Sequence, residues 1–208
     1  MMTESLNRRA ALRLGLWATV FAATRPLPAW SVAECRPTQT DTQGPFYLRG
    51  APTRLAIAAP DEPGDRLIVR GRVLGSDCRT PLAGALLDVW QADARGDYHG
   101  AVEQFRLRGR LHTDVTGGWE LTTIRPGNYR LGDGMRPAHI HFIVSHSAHP
   151  PLVTQLYFRG DPYLGPHDSC GEACKSDDPH RVIELVREEV MGRELLVGRF
   201  DVVLGASA

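Results

Sequence analysis

Residues 136–142 read Arg136-Pro137-Ala138-His139-Ile140-His141-Phe142, and the apolar, β-branched run continues to Val144. Successive side chains on a strand point to opposite faces. His139 and His141 therefore share one side, with Cα atoms roughly 7 Å apart, while Ile140 and Phe142 turn to the other. One face is apolar and fit for a core; the other carries two imidazoles that can reach a single metal ion. That two-sided alternation reads as a strand, Ala138 to Val144, of a β protein.

The segments on either side repeat the signal. Leu152 to Phe158 is dense in β-branched and aromatic residues, which suit a pleated, half-buried surface. Upstream, Leu67 to Leu74 alternates through Leu67, Val69, Gly71 and Val73, then meets turn signals at Ser76-Asp77 and Pro81. Ala85 to Ala92 is rich in Leu, Val and Trp, and Arg106 to Thr113 alternates through Leu107, Gly109 and Leu111. The turn Asp114-Val115-Thr116-Gly117-Gly118 predicts Trp119 to Ile124 as a hairpin partner. Val197 to Leu204 supplies a last strand. Pro179 to Glu189 is the one helical expectation, with Val182, Ile183, Val186 and Val190 toward one side. With 21 Gly and 15 Pro, turns must be frequent. The pattern predicts an all-β, single-domain β-sandwich with little helix. Residues 34–63 show no sustained period and are expected to form an extended N-terminal arm over the sandwich of residues 64–208.

Lys+Arg and Asp+Glu balance at 24 each, which argues against nucleic acid or an anionic membrane as partner, since both favour a basic excess. Arg8-Arg9, the apolar run from Leu14 to Thr24 and the small residues Ser31-Val32-Ala33 form the three parts of a signal peptide over residues 1–33. Asn7-Arg8-Arg9-Ala10-Ala11-Leu12 resembles a twin-arginine signal. The run is shorter than the roughly 20 residues of a spanning helix. The expectation is an exported, periplasmic or extracellular protein with no membrane association after processing. Cys35, Cys78, Cys170 and Cys174 are even in number, and four cysteines allow three disulfide pairings. A rival reading places a structural zinc among His167, Cys170, Cys174 and His180.

A His-x-His pair does not choose its metal, because zinc and copper sites use it too. No Cys or carboxylate stands at ligand spacing upstream. Two tyrosines do, each just after a glycine-containing turn: Gly96-Asp97-Tyr98 and Pro126-Gly127-Asn128-Tyr129. A phenol ionises near pH 10, so it is a poor ligand until a strongly Lewis-acidic cation depresses that value. Phenolate is a hard, charged donor, better matched to iron(III) than to zinc or copper(I). Alone, each tyrosine is more often a rim or interface aromatic with its hydroxyl in water, and only the joint pattern shifts the reading.

The segments Asp88-Val89-Trp90-Gln91-Ala92-Asp93-Ala94-Arg95-Gly96-Asp97-Tyr98 and Ile124-Arg125-Pro126-Gly127-Asn128-Tyr129 resemble the two iron-tyrosine segments of the intradiol ring-cleavage dioxygenases. Residues 136–142 match that family's histidine signature, and Thr154-Gln155-Leu156-Tyr157-Phe158 with Gly160-Asp161-Pro162 resembles the next strand and turn of those enzymes. Gly44-Pro45-Phe46-Tyr47 and Arg199-Phe200-Asp201-Val202-Val203-Leu204 fit as well, and the nearest likeness is to the protocatechuate 3,4-dioxygenase branch. The resemblance implies an Fe(3+) centre held by Tyr98, Tyr129, His139 and His141. Tyr129 would be the tyrosinate that substrate displaces. Arg136 would stabilise negative charge on the ring, a task suited to a planar guanidinium that stays protonated. Gln155 would be a polar group nearby. The partners implied are a small aromatic diol and dioxygen, and the product a muconate-type diacid. The stretches Tyr98 to Leu107 and Tyr129 to Arg136 are shorter than in protocatechuate enzymes, and Leu131 stands near where those enzymes often carry an aromatic. Protocatechuate, catechol, hydroxyquinol and bulkier catechols therefore stay open, as does homo- or hetero-oligomeric assembly. Two other classes compete: a non-catalytic exported sandwich binding aromatic or sugar ligands, and a zinc or copper enzyme built on His139 and His141.

Overall fold

Alternation along β1 (Arg66–Leu74) buries Leu67, Val69 and Val73 while the arginines between them stay nearer solvent. The computed structural model describes residues 35–100, 105–190 and 192–206, so the signal-peptide expectation for residues 1–33 lies outside the described residues. Next along the chain are β2 (Leu86–Gln91), β3 (Arg108–His112), β4 (Gly118–Ile124), β5 (Tyr129–Leu131) and β6 (Gly134–Arg136). After them come β7 (His139–His146), β8 (His149–Phe158), β9 (Val182–Ile183), β10 (Leu185–Val190), β11 (Arg193–Arg199) and β12 (Val202–Val203). One sheet runs β3-β2-β7-β8-β9. The other runs β10-β11-β1-β12 with β4 also paired to β1, and β5-β6 is a separate two-stranded ribbon.

The two large sheets face each other across one apolar core. Leu67, Val69, Val73 and Leu121 meet Leu87, Val89, Ile140, Phe142, Leu156 and Phe158, with Phe200 and Leu204 closing one side. Full burial of each large apolar side chain is worth about 1.5–3 kcal/mol. This is the all-β sandwich with little helix: among the described residues the only helical turns are the 3₁₀ turns Gly165–His167 and Gly171–Ala173.

Two local expectations fail. Trp119 to Ile124 is not the hairpin partner of the preceding strand: β4 pairs antiparallel with β1, while β3 pairs with β2. The Asp114 carboxylate accepts the N–H groups of Thr116 and Gly118, so the turn forms as read, but it carries the chain from one sheet to the other. Pro179 to Glu189 is not helical either. Val182 and Ile183 pair in parallel with Tyr157 and Phe158, and Leu185 onward pairs with β11. Val186, assigned to the buried side of a helix, is 52% exposed.

The cysteines form two bridges, Cys35–Cys78 and Cys170–Cys174. The zinc reading at His167, Cys170, Cys174 and His180 is thereby overturned, because both sulfurs are consumed in a covalent bond. The first bridge ties the start of the arm to the loop after β1. From there the arm runs along β8, where Asp41 N–H donates to the Val153 carbonyl at 2.9 Å and Thr154 Oγ1 donates to the Gln39 carbonyl at 2.8 Å. Thr42 and Gly44 then lie over Gln155 and His141 on the outer face of the β7–β8 sheet, and residues 52–57 pair with β3 and β4.

Candidate metal centre

The site lies on that outer face, beneath the arm. Because β7 turns Ile140 and Phe142 into the core, His139 and His141 point out, both 2% exposed. Register brings in their neighbours: Trp90 of β2 and Gln155 of β8 lie opposite His141, and Tyr157 of β8 lies opposite His139. The Trp90 ring stacks flat on the His141 imidazole, centroids 4.6 Å apart at 7°.

Tyr98 and Tyr129 come from two loops that interlock through their glycines. Gly96 has φ +91°, and a Cβ there would lie 2.0 Å from the Asn128 carbonyl oxygen; one on Gly127 would lie 2.5 Å from the Ala94 carbonyl oxygen. Only glycine allows this approach. Gly96 N–H and Gly127 N–H both donate to the Asp93 carbonyl, at 3.0 and 2.8 Å. Asp161 then fixes this unit to β7: Oδ2 accepts from Asn128 Nδ2 at 2.7 Å and from Ala138 N–H at 2.9 Å.

Three donor atoms converge. Tyr98 Oη lies 3.1 Å from His139 Nε2 and 3.0 Å from His141 Nε2, and the two Nε2 atoms are 3.1 Å apart. The triangle is small enough for one ion to touch all three at about 2.1 Å. His139 Nδ1–H donates to the Pro137 carbonyl at 2.7 Å, which leaves its Nε2 lone pair aimed at the centre, the tautomer a metal requires. Burial and the Arg136 charge lower the His139 pKa to about 3. Burial, His139 and Arg136 hold His141 well below the usual imidazole range. Both rings are neutral donors. Burial and the neighbouring Tyr129 push the Tyr98 phenol up, against the pull of Arg136 and Arg108. A bound cation would reverse that shift. Three donor atoms turned on one point, with two neutral imidazoles among them, fit a cation there.

Tyr129 stands slightly apart. Its ring is 5.7 Å from His139 and 5.6 Å, edge-on, from Tyr98, and its hydroxyl makes no hydrogen bond to a described residue. The arm contributes Phe46, which stacks on Tyr98 at 4.2 Å and meets Tyr129 edge-on at 6.0 Å. Arg136 is buried beside this group: Nε and Nη2 fork onto Asp168 at 3.0 and 3.2 Å, and Nη2 also reaches Gln155 Oε1 at 3.2 Å and Tyr157 Oη at 3.0 Å. Gln155 Nε2 donates to the Thr42 carbonyl at 2.7 Å, so it links arm, Arg136 and sheet.

All six residues singled out from the sequence thus gather on one face. Trp90, Tyr157, Asp161 and Asp168 were missed. Period two from Gln155 would have found Tyr157, and the Gly160-Asp161-Pro162 turn contains Asp161, but nothing local marks Asp168.

The neutral imidazoles make acid stability a test of the metal-free protein. Their folded pKa values are depressed, so their contribution to stability is complete above the unfolded value near 6.5. It is lost as pH falls from there toward about 3. Each ring adds at most about 1.4 kcal/mol per pH unit. Urea unfolding of the apoprotein at pH 7 and pH 5 should show this loss, reduced in His141→Ala; equal stability at both would contradict buried neutral rings.

Two imidazoles and two phenols held outside a β-sandwich sheet form a donor set of the kind that suits a hard cation. A family profile described as dioxygenase matches residues 42–206, and the chain belongs to the intradiol ring-cleavage dioxygenase family. It is 37% identical over 186 residues to the chlorocatechol 1,2-dioxygenase of Rhodococcus opacus, covering 78% of this chain and 71% of that one. It is 39% identical over 124 residues to the protocatechuate 3,4-dioxygenase beta chain of Burkholderia cepacia, covering 54% and 52%. The chain spans about half the length of this and several other curated relatives it matches. Among solved structures, the dioxygenase domain of a dioxygenase–carbohydrate-binding fusion from Streptomyces sp. SirexAA-E superposes with a TM-score of 0.69 at 34% identity. That match covers 82% of this chain and 99% of that one.

Proposed function

We propose that the chain is an exported non-haem iron(III) dioxygenase that opens catechol-type rings between the two hydroxyl-bearing carbons, giving muconate-type diacids. The observation that carries the reading is the convergence of Tyr98 Oη, His139 Nε2 and His141 Nε2 with Tyr129 beside them. Two phenolates and two neutral imidazoles suit a hard trivalent cation. Bound there, ferric iron supplies Lewis acidity that favours the ionised diol and draws electron density from its ring.

The chain's own groups do the rest. Tyr129, whose hydroxyl has no hydrogen-bond partner among the described residues, is placed to accept a proton as the diol binds. Tyr98, pinned between Phe46 and the histidines, stays in place. Arg136 keeps its proton, because Asp168 outweighs the effect of burial, and so offers a permanent positive charge to a ring that gains negative charge. Trp90 backs His141 and keeps water from that side. The catechol-type substrates of the relatives support the substrate class, and the two disulfides support an oxidising compartment. No helix among the described residues is long and apolar enough to cross a membrane. The alternative, a non-catalytic sandwich binding aromatic or sugar ligands, has no observation in its favour.

The test is optical and chemical. Protein from iron-supplemented cells should show a broad visible tyrosinate-to-iron band that Tyr98→Phe and Tyr129→Phe each alter. It should consume oxygen with at least one catechol, giving the ultraviolet spectrum of a muconate. A colourless, iron-loaded protein would sink the assignment.

A further inference from the structure

We propose that Asp168 is the positioning residue for Arg136, and that the Cys170–Cys174 bridge holds Asp168 in that role; this rests on the ring-cleavage reading of the site. The first ground is the geometry of the fork. Asp168 takes Arg136 Nε through Oδ1 and Nη2 through Oδ2, two near-parallel bonds that fix both the plane of the guanidinium and its rotation. Gln155 and Tyr157 crowd the same Nη2. Nη1 makes no hydrogen bond to a described residue, so the fork decides which edge of the guanidinium is presented.

The second ground is burial. The Arg136 side chain is 3% exposed and that of Asp168 0%, and Asp168 has no other ion-pair partner among the described residues. An amide in its place keeps one acceptor but loses the charge and the second arm of the fork, which permits rotation about the contacts that remain. A displacement of about 1 Å in such a group can cost up to roughly 100-fold in rate.

The third ground is how Asp168 is itself held. It lies in no strand, between two single 3₁₀ turns. Its N–H donates to the Gly165 carbonyl at 3.0 Å, its carbonyl accepts Gly171 N–H at 2.9 Å, and Oδ1 accepts Cys170 N–H at 2.9 Å. Ser169 N–H reaches the carbonyl of Met135, the neighbour of Arg136, at 3.1 Å. The bridge closes the segment immediately after Asp168, and its far end is anchored where the Cys174 carbonyl accepts Arg181 Nη2 at 3.1 Å. Covalent closure of this short loop makes the position of a buried carboxylate depend on the redox state of two cysteines.

The experiment is a double-mutant cycle in the iron-loaded enzyme, with kcat, KM, iron content and the visible band read together. Asp168→Asn should lower kcat roughly 10- to 100-fold with iron content and band unchanged. In an Arg136→Lys background the same substitution should add less than about twofold, because residues acting as one unit are not additive. Cys170→Ser/Cys174→Ser, which spares Cys35–Cys78, should lower kcat in the same direction with the band intact. Effects that multiply, or an unchanged kcat in Asp168→Asn, overturn the proposal. If Asp168→Asn does not fold, the bridge variant decides alone, and an unchanged kcat there overturns it. A wild-type protein that opens no catechol fails the ring-cleavage reading and takes this role with it; an active wild type with unaffected variants fails this role only.

Discussion

His139→Ala will yield a folded protein with no tightly bound iron and ring-cleavage activity lowered by at least roughly 1,000-fold. The size reflects what is removed. A Lewis acid is worth several kcal/mol of transition-state stabilisation, and each 1.36 kcal/mol is a factor of ten. His139 occupies two edges of the donor triangle, and its Nδ1–H is committed to Pro137, so no other nitrogen can turn in to replace it. Folding should survive, since the imidazole makes no contact across the sandwich core and its loss relieves the crowding of three donors. His146→Ala, on the same strand beyond the site, should bind iron and turn over normally. Metal analysis and oxygen uptake on both variants provide the check. Full iron content in His139→Ala would remove this residue from the centre.

Arg181→Met should lower the unfolding free energy by about 3–5 kcal/mol, the usual cost of stranding a buried charge, out of a total of roughly 5–15. Arg181 and Asp41 form an ion pair in which both side chains are 0% exposed. The guanidinium also donates to the Cys174 and Lys175 carbonyls at 3.1 and 2.6 Å and lies over the Tyr157 ring at 5.4 Å. With the cation gone, the Asp41 carboxylate remains in the interior with the Tyr157 hydroxyl and the Thr42 N–H as its principal support. Denaturant titration gives the number. Asp41→Asn/Arg181→Met should recover part of the loss, and a single-variant loss under about 1 kcal/mol would mean water or rearrangement compensates the charge.

Period-two alternation made the longer strands legible, because one face of each meets the core and the other does not. Where alternation was too short to read, long-range pairing decided. Val182 and Ile183 are two residues held by Tyr157 and Phe158, and Val186 three positions on imitated a helical stripe. The Asp114 to Gly118 turn has one local chemistry whether the chain doubles back or crosses to the facing sheet, so the partner of β4 could not be read from it. The site was legible in proportion to its local encoding. His139 and His141 are two apart on a strand, and each tyrosine comes just after a glycine turn. Asp168 and Arg181 act on residues 32 and 140 positions away, and nothing near either marks the contact.

The mutual fit of Gly96 and Gly127 has an evolutionary corollary. Backbone locked against backbone at Asn128 and Ala94 makes the two phenol-bearing turns a single rigid fitting, while residues 131–134, at the tip of the small ribbon, lie outside the lock. Length changes at Gly132-Asp133 would leave the paired turns intact, whereas Gly134 packs against Ser169 and ties the ribbon to the segment that holds Asp168. Variation at that tip and rigidity at the two interlocked turns can therefore coexist in one fold.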